Sequence, residues 1–173
     1  MAQGATGSGG QGPVFRGVTH LALDAKGRMA MPTRHRDAIA RHSASNGDDS
    51  AASGAPGAFV LTADPSRCLL LYPRAEWEPI QARLMALSSF NDKTRGLQRL
   101  LVGHAEDVEM DGTGRILVAP ALRQYAGLDH RAVLVGQGNR FELWDEARWQ
   151  EETARTITFA AGELPPELDG FSL

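Results

Sequence analysis

Two short segments hold the residues whose types and spacing suit chemistry, DAKGR at 24–28 and DGTGR at 111–115. Each sets an Asp first, a Gly fourth and an Arg fifth. Gly27 and Gly114 can take the positive φ that a tight turn needs. Asp24 and Asp111 can accept backbone N–H bonds across that turn. Backbone geometry therefore accounts for these four turn-forming residues. Arg28 and Arg115 are different, because each starts a strand and points away from its apolar stripe. An arginine fork on a strand or ribbon can pair bidentately with guanine O6 and N7 in a major groove. Lys26, at the tip of the first turn, adds a phosphate-seeking charge. The competing reading of Arg28 is a plain surface salt bridge.

Other chemistries fit less well. Paired aspartates in related segments suggest an acid-protease dyad, in which two carboxyls share one proton. Here each Asp has an Arg four residues on, and a nearby cation holds a carboxylate ionised. The five histidines, His20, His35, His42, His104 and His130, show no metal-ligand spacing, and there is a single cysteine. No metal, no cofactor and no enzyme activity are expected. GTGR lacks the Lys-Ser/Thr ending of a phosphate loop. Cys68 lies in the apolar run CLLLYP and reads as a buried, inert thiol. Tyr72/Trp77 and Trp144/Trp149 sit at strand-to-helix joins and read as packing residues.

The two turns belong to a longer repeat. LDAKGRMAMP (23–32) matches MDGTGRILVAP (110–120). At a constant offset Leu21 pairs with Val108, Leu23 with Met110, Asp24 with Asp111, Met29 with Ile116 and Met31 with Val118. The second copy reads as having one extra residue, Ala119, before its proline. Downstream, LLYPRAEW (70–77) echoes ELWDEARW (142–149), and FVLT echoes VLVG. Such repetition decides architecture. One short hairpin with an apolar face is unstable alone. Two packed face to face bury both stripes, which predicts a pseudo-twofold domain built from both halves, with the two turns at related surface positions.

The elements that position the turns follow from pattern. VTHLAL (18–23), AFVLTA (58–63) and CLLLYP (68–73) read as strands, and RMAM resumes alternation after the first turn. Pro32 opens a helix over about 33–42. EWEPIQARLMAL (76–87) reads as a helix in which Pro79 is tolerable only near the start. Asn91 reads as the N-cap of KTRGLQRLLVGH, an amphipathic basic helix with either a solvated face or a subunit contact. The Gly-rich residues 1–13 and the low-complexity stretch 43–57 carry no apolar period and read as a disordered tail and a flexible insertion.

Composition is consistent with this. Apolar residues make up 42% and charged residues 23% of the 173, as in a globular domain. No apolar run is long enough for a membrane helix, and one cysteine suits a reducing cytoplasm. The net charge of −3 argues against a whole-surface nucleic-acid binder. Its distribution is uneven, however. Arg16, Lys26, Arg28, Arg34, Arg36 and Arg41 cluster early against only Asp24 and Asp37.

The segments FRGVTHLALDAKGRMAMPTRHRD, CLLLYPRAEWEPIQARLMALSS, QRLLVGHAEDVEMDGTGRILVAPALRQYAGL and VLVGQGNRFELWDEARW resemble the MraZ family of bacterial regulators, built from two SpoVT/AbrB-like units. The resemblance runs from about Val14 to the last helix, apart from the 43–57 insertion. It implies an α+β fold, a pseudo-twofold swapped-hairpin (AbrB-like) β-barrel with peripheral helices. The expected division is a first unit at 14–73, a helical connection at 74–104, a second unit at 105–149 and a C-terminal helix and tail at 150–173. It implies a ring-shaped homo-oligomer binding short direct repeats of promoter DNA at the division and cell-wall gene cluster, in a cytoplasmic, nucleoid-associated protein. By motif match Arg28 carries over as the principal base reader with Lys26 beside it, Arg115 as its second-half equivalent, and Arg16 of FRG as a phosphate contact. The family pattern begins at a Met-Phe-Arg-Gly, so Val14 is read as an alternative start. The alternative function is an antitoxin-like, protein-binding regulator of the same fold.

Overall fold

A computed structural model describes residues 14–45, 57–88 and 90–160. The elements run β1 (Phe15–Ala22), β2 (Arg28–Ala30), α1 (Thr33–Ser45), β3 (Ala58–Ala63), β4 (Leu69–Pro73), α2 (Arg74–Ala86), α3 (Asp92–Leu101), β5 (Glu106–Glu109), β6 (Arg115–Leu117), α4 (Pro120–Ala126), β7 (Arg131–Gly138), β8 (Phe141–Asp145) and α5 (Glu146–Ala160). This is an α+β fold with antiparallel pairing throughout. The order β-β-α-β-β-α occurs twice, and α3 alone has no counterpart among the described elements. The tail reading at 1–13 falls outside the described residues, as do residues 46–56 of the insertion. Residues 43–45 are helical rather than loop, because α1 runs past the expected end at 42.

The two strands that flank each turn do not stay together, whereas β3 pairs with β4 and β7 with β8 within their own repeats. Leu23 and Met29 make a single bridge around the first turn, and Met110 and Ile116 make the same bridge around the second. The two hairpins thus exchange strands, as the swapped-hairpin expectation has it. β1 pairs along its length with β7 of the other half, and β5 pairs with β3. The larger sheet has the order β1-β7-β8-β4-β3-β5, and β2 pairs with β6 in a separate two-stranded ribbon.

Register shows the pseudo-twofold relation directly. Met29 and Ile116 stand 87 positions apart in the repeat and are register partners. In the larger sheet Leu70 pairs with Glu142, its own counterpart in the LLYP/ELWD echo. Two equivalences read from the sequence shift by one residue. The strand pairs set VLTA (60–63), not FVLT, against VLVG (133–136). A one-residue slip turns every side chain to the other face. Val60 and Val133 lie in one apolar cluster, whereas Phe59 lies in the other with Ala132. Likewise Ala119 is not an insertion. It takes the place of Pro32, since α1 and α4 begin 87 positions apart, and Arg36 and Arg123 donate their N–H groups to Pro32 O and Ala119 O at 3.1 and 3.0 Å.

Both apolar stripes meet in one core. Leu23, Met29, Met31, Met110, Ile116 and Val118 are buried together with Phe59, Leu61, Leu134 and Leu143, and Leu21 and Val108 pack against them. A second cluster on the far face of the sheet holds Val60, Leu70, Tyr72, Trp77, Val133 and Trp144. Cys68 is buried in it, and burial pushes its thiol well above the ordinary range. α2 starts at Arg74, two residues earlier than expected, which puts Pro79 in its second turn. Asn91 caps α3 as read, its side chain accepting the N–H groups of Lys93 and Thr94.

Candidate nucleic-acid interface

Each turn is built around its aspartate. Asp24 Oδ1 accepts the N–H groups of Lys26 and Arg28, both at 2.9 Å, and Asp111 Oδ1 accepts those of Thr113 and Arg115 at the same distance. Gly27 and Gly114, at φ +80° and +78°, donate back to the Asp24 and Asp111 carbonyls at 2.8 Å. The second oxygen takes the arginine. Arg28 Nε donates to Asp24 Oδ2 at 2.7 Å and Arg115 Nε to Asp111 Oδ2 at 3.3 Å. Both carboxyls are held below the ordinary carboxylate range. For Asp24 the leading cause is the Arg28 N–H, and for Asp111 it is the Thr113 hydroxyl, which donates at 2.7 Å. The salt-bridge reading of Arg28 thus describes its inner edge. A guanidinium has five N–H donors, and Arg28 keeps about a third of its side chain exposed.

The fold brings the two turns together. Met31 N donates to Gly114 O and Val118 N to Gly27 O, each at 2.9 Å, so each turn is tied to the strand end of the other repeat. Arg115 Nη1 lies 3.9 Å from Asp24 Oδ2. Two helix arginines missed by motif reading complete the arrangement. A Cβ on Gly27 would fall 2.5 Å from Arg123 Nε, and one on Gly114 2.4 Å from Arg36 Nη1. Each repeat's helix therefore lays an arginine over the other repeat's turn. Arg123 Nε is anchored on Val118 O at 3.1 Å, and Arg36 Nη2 on Thr33 Oγ1 at 3.0 Å. The signal was their spacing, since Arg36 and Arg123 share the offset of the turns.

Lys26 is exposed at the tip, and the equivalent residue of the second turn is Thr113. The surface thus carries Lys26, Arg28, Arg36, Arg115 and Arg123 against Asp24 and Asp111. Arg16 is not brought to it. Arg16 is exposed and pairs with Gln137 at the opposite end of the β1–β7 ladder from the turn. The intervening strand spans roughly 20–25 Å at about 3.3 Å per residue. Among the described residues no group of three or more His, Cys, Asp and Glu is placed to hold a metal ion.

Comparison with known proteins agrees with this duplicated design. The family model for MraZ proteins, described as antitoxin-like, matches twice, over residues 14–100 and 101–163. The chain belongs to the MraZ family. It is 52% identical over 160 residues to the transcriptional regulator MraZ of Methylobacillus flagellatus, a match covering 92% of this chain and all of that one. MraZ of Thiobacillus denitrificans is 49% identical over 160 residues with the same coverage, and MraZ of Escherichia coli O9:H4 is 45% identical over 164. MraZ proteins are transcriptional regulators and not enzymes, as the sequence led one to expect. No described helix is long and apolar enough to cross a membrane.

Proposed function

We propose that the chain is a sequence-specific regulator that reads double-stranded promoter DNA with its paired turns. The observation that carries this is the convergence of Arg28 and Arg115 on Asp24, within a surface where cations outnumber carboxylates. Arg28 is the principal base reader. Its Nε is committed to Asp24, which orients the guanidinium and leaves the outer edge to face guanine O6 and N7. Lys26 binds phosphate beside it. Arg115 is the second reader, on the half whose tip has Thr113 instead of a lysine. Arg16 touches phosphate away from this surface, at a neighbouring stretch of DNA.

The further features of the reading follow from the family. The two-stranded ribbon β2–β6 caps the larger sheet, linked to its end strands β1 and β5 by the two turns, and so completes a small barrel formed by units at 14–73 and 105–149 with a helical connection at 74–104. Several copies assemble into a ring in the cytoplasm, at the nucleoid, and engage direct repeats at the division and cell-wall gene cluster. A net charge of −3 leaves one copy a weak binder. Once one copy is seated, its neighbours meet adjacent repeats at high effective concentration.

The test is Arg28→Ala in a gel-shift titration on fragments selected from genomic DNA, with light scattering alongside. The expected result is loss of specific binding with the oligomer intact. Unchanged affinity would overturn the assignment.

A further inference from the structure

The two halves differ at the corner where a strand turn of one meets the helix of the other. Glu76 on α2 directly precedes Trp77, and Arg148 on α5 directly precedes its counterpart Trp149, so Glu76 and Arg148 are equivalent. The β3–β4 and β7–β8 turns are equivalent too, closed by Asp64 N to Cys68 O at 3.0 Å and by Gln137 N to Arg140 O at 2.9 Å. Arg67 and Asn139 each stand just before the closing residue. Asn139 Nδ2 donates to Glu76 Oε2 at 3.1 Å and seals one corner. In the other corner both counterparts are arginines, which cannot bond each other. Arg67 and Arg148 there line a cavity of about 460 Å³.

Both arginines are positioned by other parts of the fold. Arg67, at φ +65°, is the one non-glycine residue at positive φ among the described residues. A three-residue hairpin loop ordinarily puts glycine there, and such strain gathers at functional sites. The Arg67 guanidinium lies over the Tyr125 ring, 4.9 Å from its centre, and Tyr125 donates its O–H to Asp64 O at 2.8 Å, so α4 holds both the turn and the arginine. Arg148 rests against Gly127 at the left-handed end of α4, where a Cβ would fall 3.3 Å from its Nε. Neither guanidinium is in an ion pair among the described residues. Trp144, 5% exposed, walls the cavity, and Ser66 adds a hydroxyl. Arg155 and Glu152 also line it but pair with each other, which leaves two unpaired arginines against the single carboxylate of Glu151.

We infer that this cavity binds a small phosphorylated solute, its phosphate group bridging Arg67 and Arg148. One arginine fork satisfies a carboxylate, whereas a phosphate has oxygens enough for two. The volume is that of a small-molecule pocket. A recess backed by a buried indole suits a small molecule, whereas the backbone of a duplex is a convex surface. This site is separate from the turns that read DNA and stands whether or not that reading does.

The other half supplies the test. Arg67→Asn together with Arg148→Glu writes the sealed corner into the open one, and asparagine tolerates the left-handed backbone at 67. Inorganic pyrophosphate is titrated into the full chain by calorimetry at constant ionic strength. The wild type is expected to show a saturable site, weakened about tenfold or more by either single change and absent from the double variant. Arg148 is exposed on α5, so the single change there reads binding without touching the core. The double variant is expected to melt no lower than the wild type. Arg28→Ala is expected to keep the site. No saturable binding to the wild type, or a site that the double variant retains, would overturn the inference. Loss of the site in Arg28→Ala would put the pyrophosphate on the DNA-reading surface and overturn it as well. Fluorescence anisotropy separates the sources of phosphate, since the double variant is expected to bind scrambled DNA as the wild type does. Weaker binding to DNA of every sequence, with a shallower salt slope, would make the two arginines a backbone contact and overturn the small-molecule reading.

Discussion

Arg115 of the second repeat lies 3.9 Å from the carboxylate of Asp24 in the first, which already holds Arg28 at 2.7 Å. One acid thus lies beside the arginines of both halves. Asp24→Asn removes a negative charge, which by itself favours phosphate binding, but it frees Arg28 from its orienting partner. The two effects separate by sequence. Affinity for selected DNA is expected to fall, and affinity for scrambled DNA to hold or rise. Fluorescence anisotropy on both, at one salt concentration, checks this.

DNA binding through this surface displaces counterions, so affinity is expected to fall linearly with log salt. Lys26→Ala is expected to reduce that slope by about one phosphate's share per bound copy and to weaken all sequences alike. A change confined to the selected sequence would instead make Lys26 a base reader.

Gly27 and Gly114 sit at positive φ beneath an arginine of the opposite helix. Gly27→Ala is expected to destabilise by about 1–3 kcal/mol in urea unfolding, through backbone strain and displacement of Arg123. Gly112 corresponds to Ala25, and a Cβ placed on it would meet nothing within 4 Å. Gly112→Ala is expected to stay within about 0.5 kcal/mol.

Met29 and Ile116 are fully buried register partners at the centre of the β2–β6 ribbon. Alanine at either is expected to cost about 2–5 kcal/mol, and the double variant to depart from additivity because the side chains share one space. Denaturant unfolding of the single and double variants measures both.

His35 is 5% exposed, its ring edge-on to Phe15 and Phe141. Burial, with Arg34 beside it, lowers its pKa from the ordinary 6.5. The unfolded chain therefore takes up the proton first as pH falls. This contribution to stability is complete above pH 6.5 and is lost as pH falls through the lowered folded value. The counterpart of His35 is the buried Leu122. His35→Leu is expected to fold and to flatten the stability profile just below pH 6.5, read from melting temperatures.

Much of the site was legible because the turn's bonds are local. Asp24 caps the N–H groups two and four residues on, and a glycine at the fourth position allows the reversal, so D-x-x-G-R encodes its own geometry. Leu23, Met29 and Met31 showed the buried face by alternation alone. The off-by-one match of FVLT had a physical cause. Phe59 and Val60 are both apolar and both buried, on opposite faces of a strand covered on each side, so hydrophobicity could not show which faced which. The placement of Arg36 and Arg123 over the opposite turns and the distance of Arg16 were likewise hidden, because each depends on a partner far away in the chain.

The sequence by itself determined the duplication, the two turns, their apolar stripes and the arginines that follow. These rest on periodicity and on bonds between residues a few positions apart. Only the tertiary structure decided which strands pair between the halves, that Arg115 reaches Asp24, and that α3 packs against the first half's sheet. Pairing β1 with β7 rather than with β2 prefers a non-local ladder to a local one of similar hydrogen bonds. The burial of both stripes in one core selects it, and no local segment carries that information.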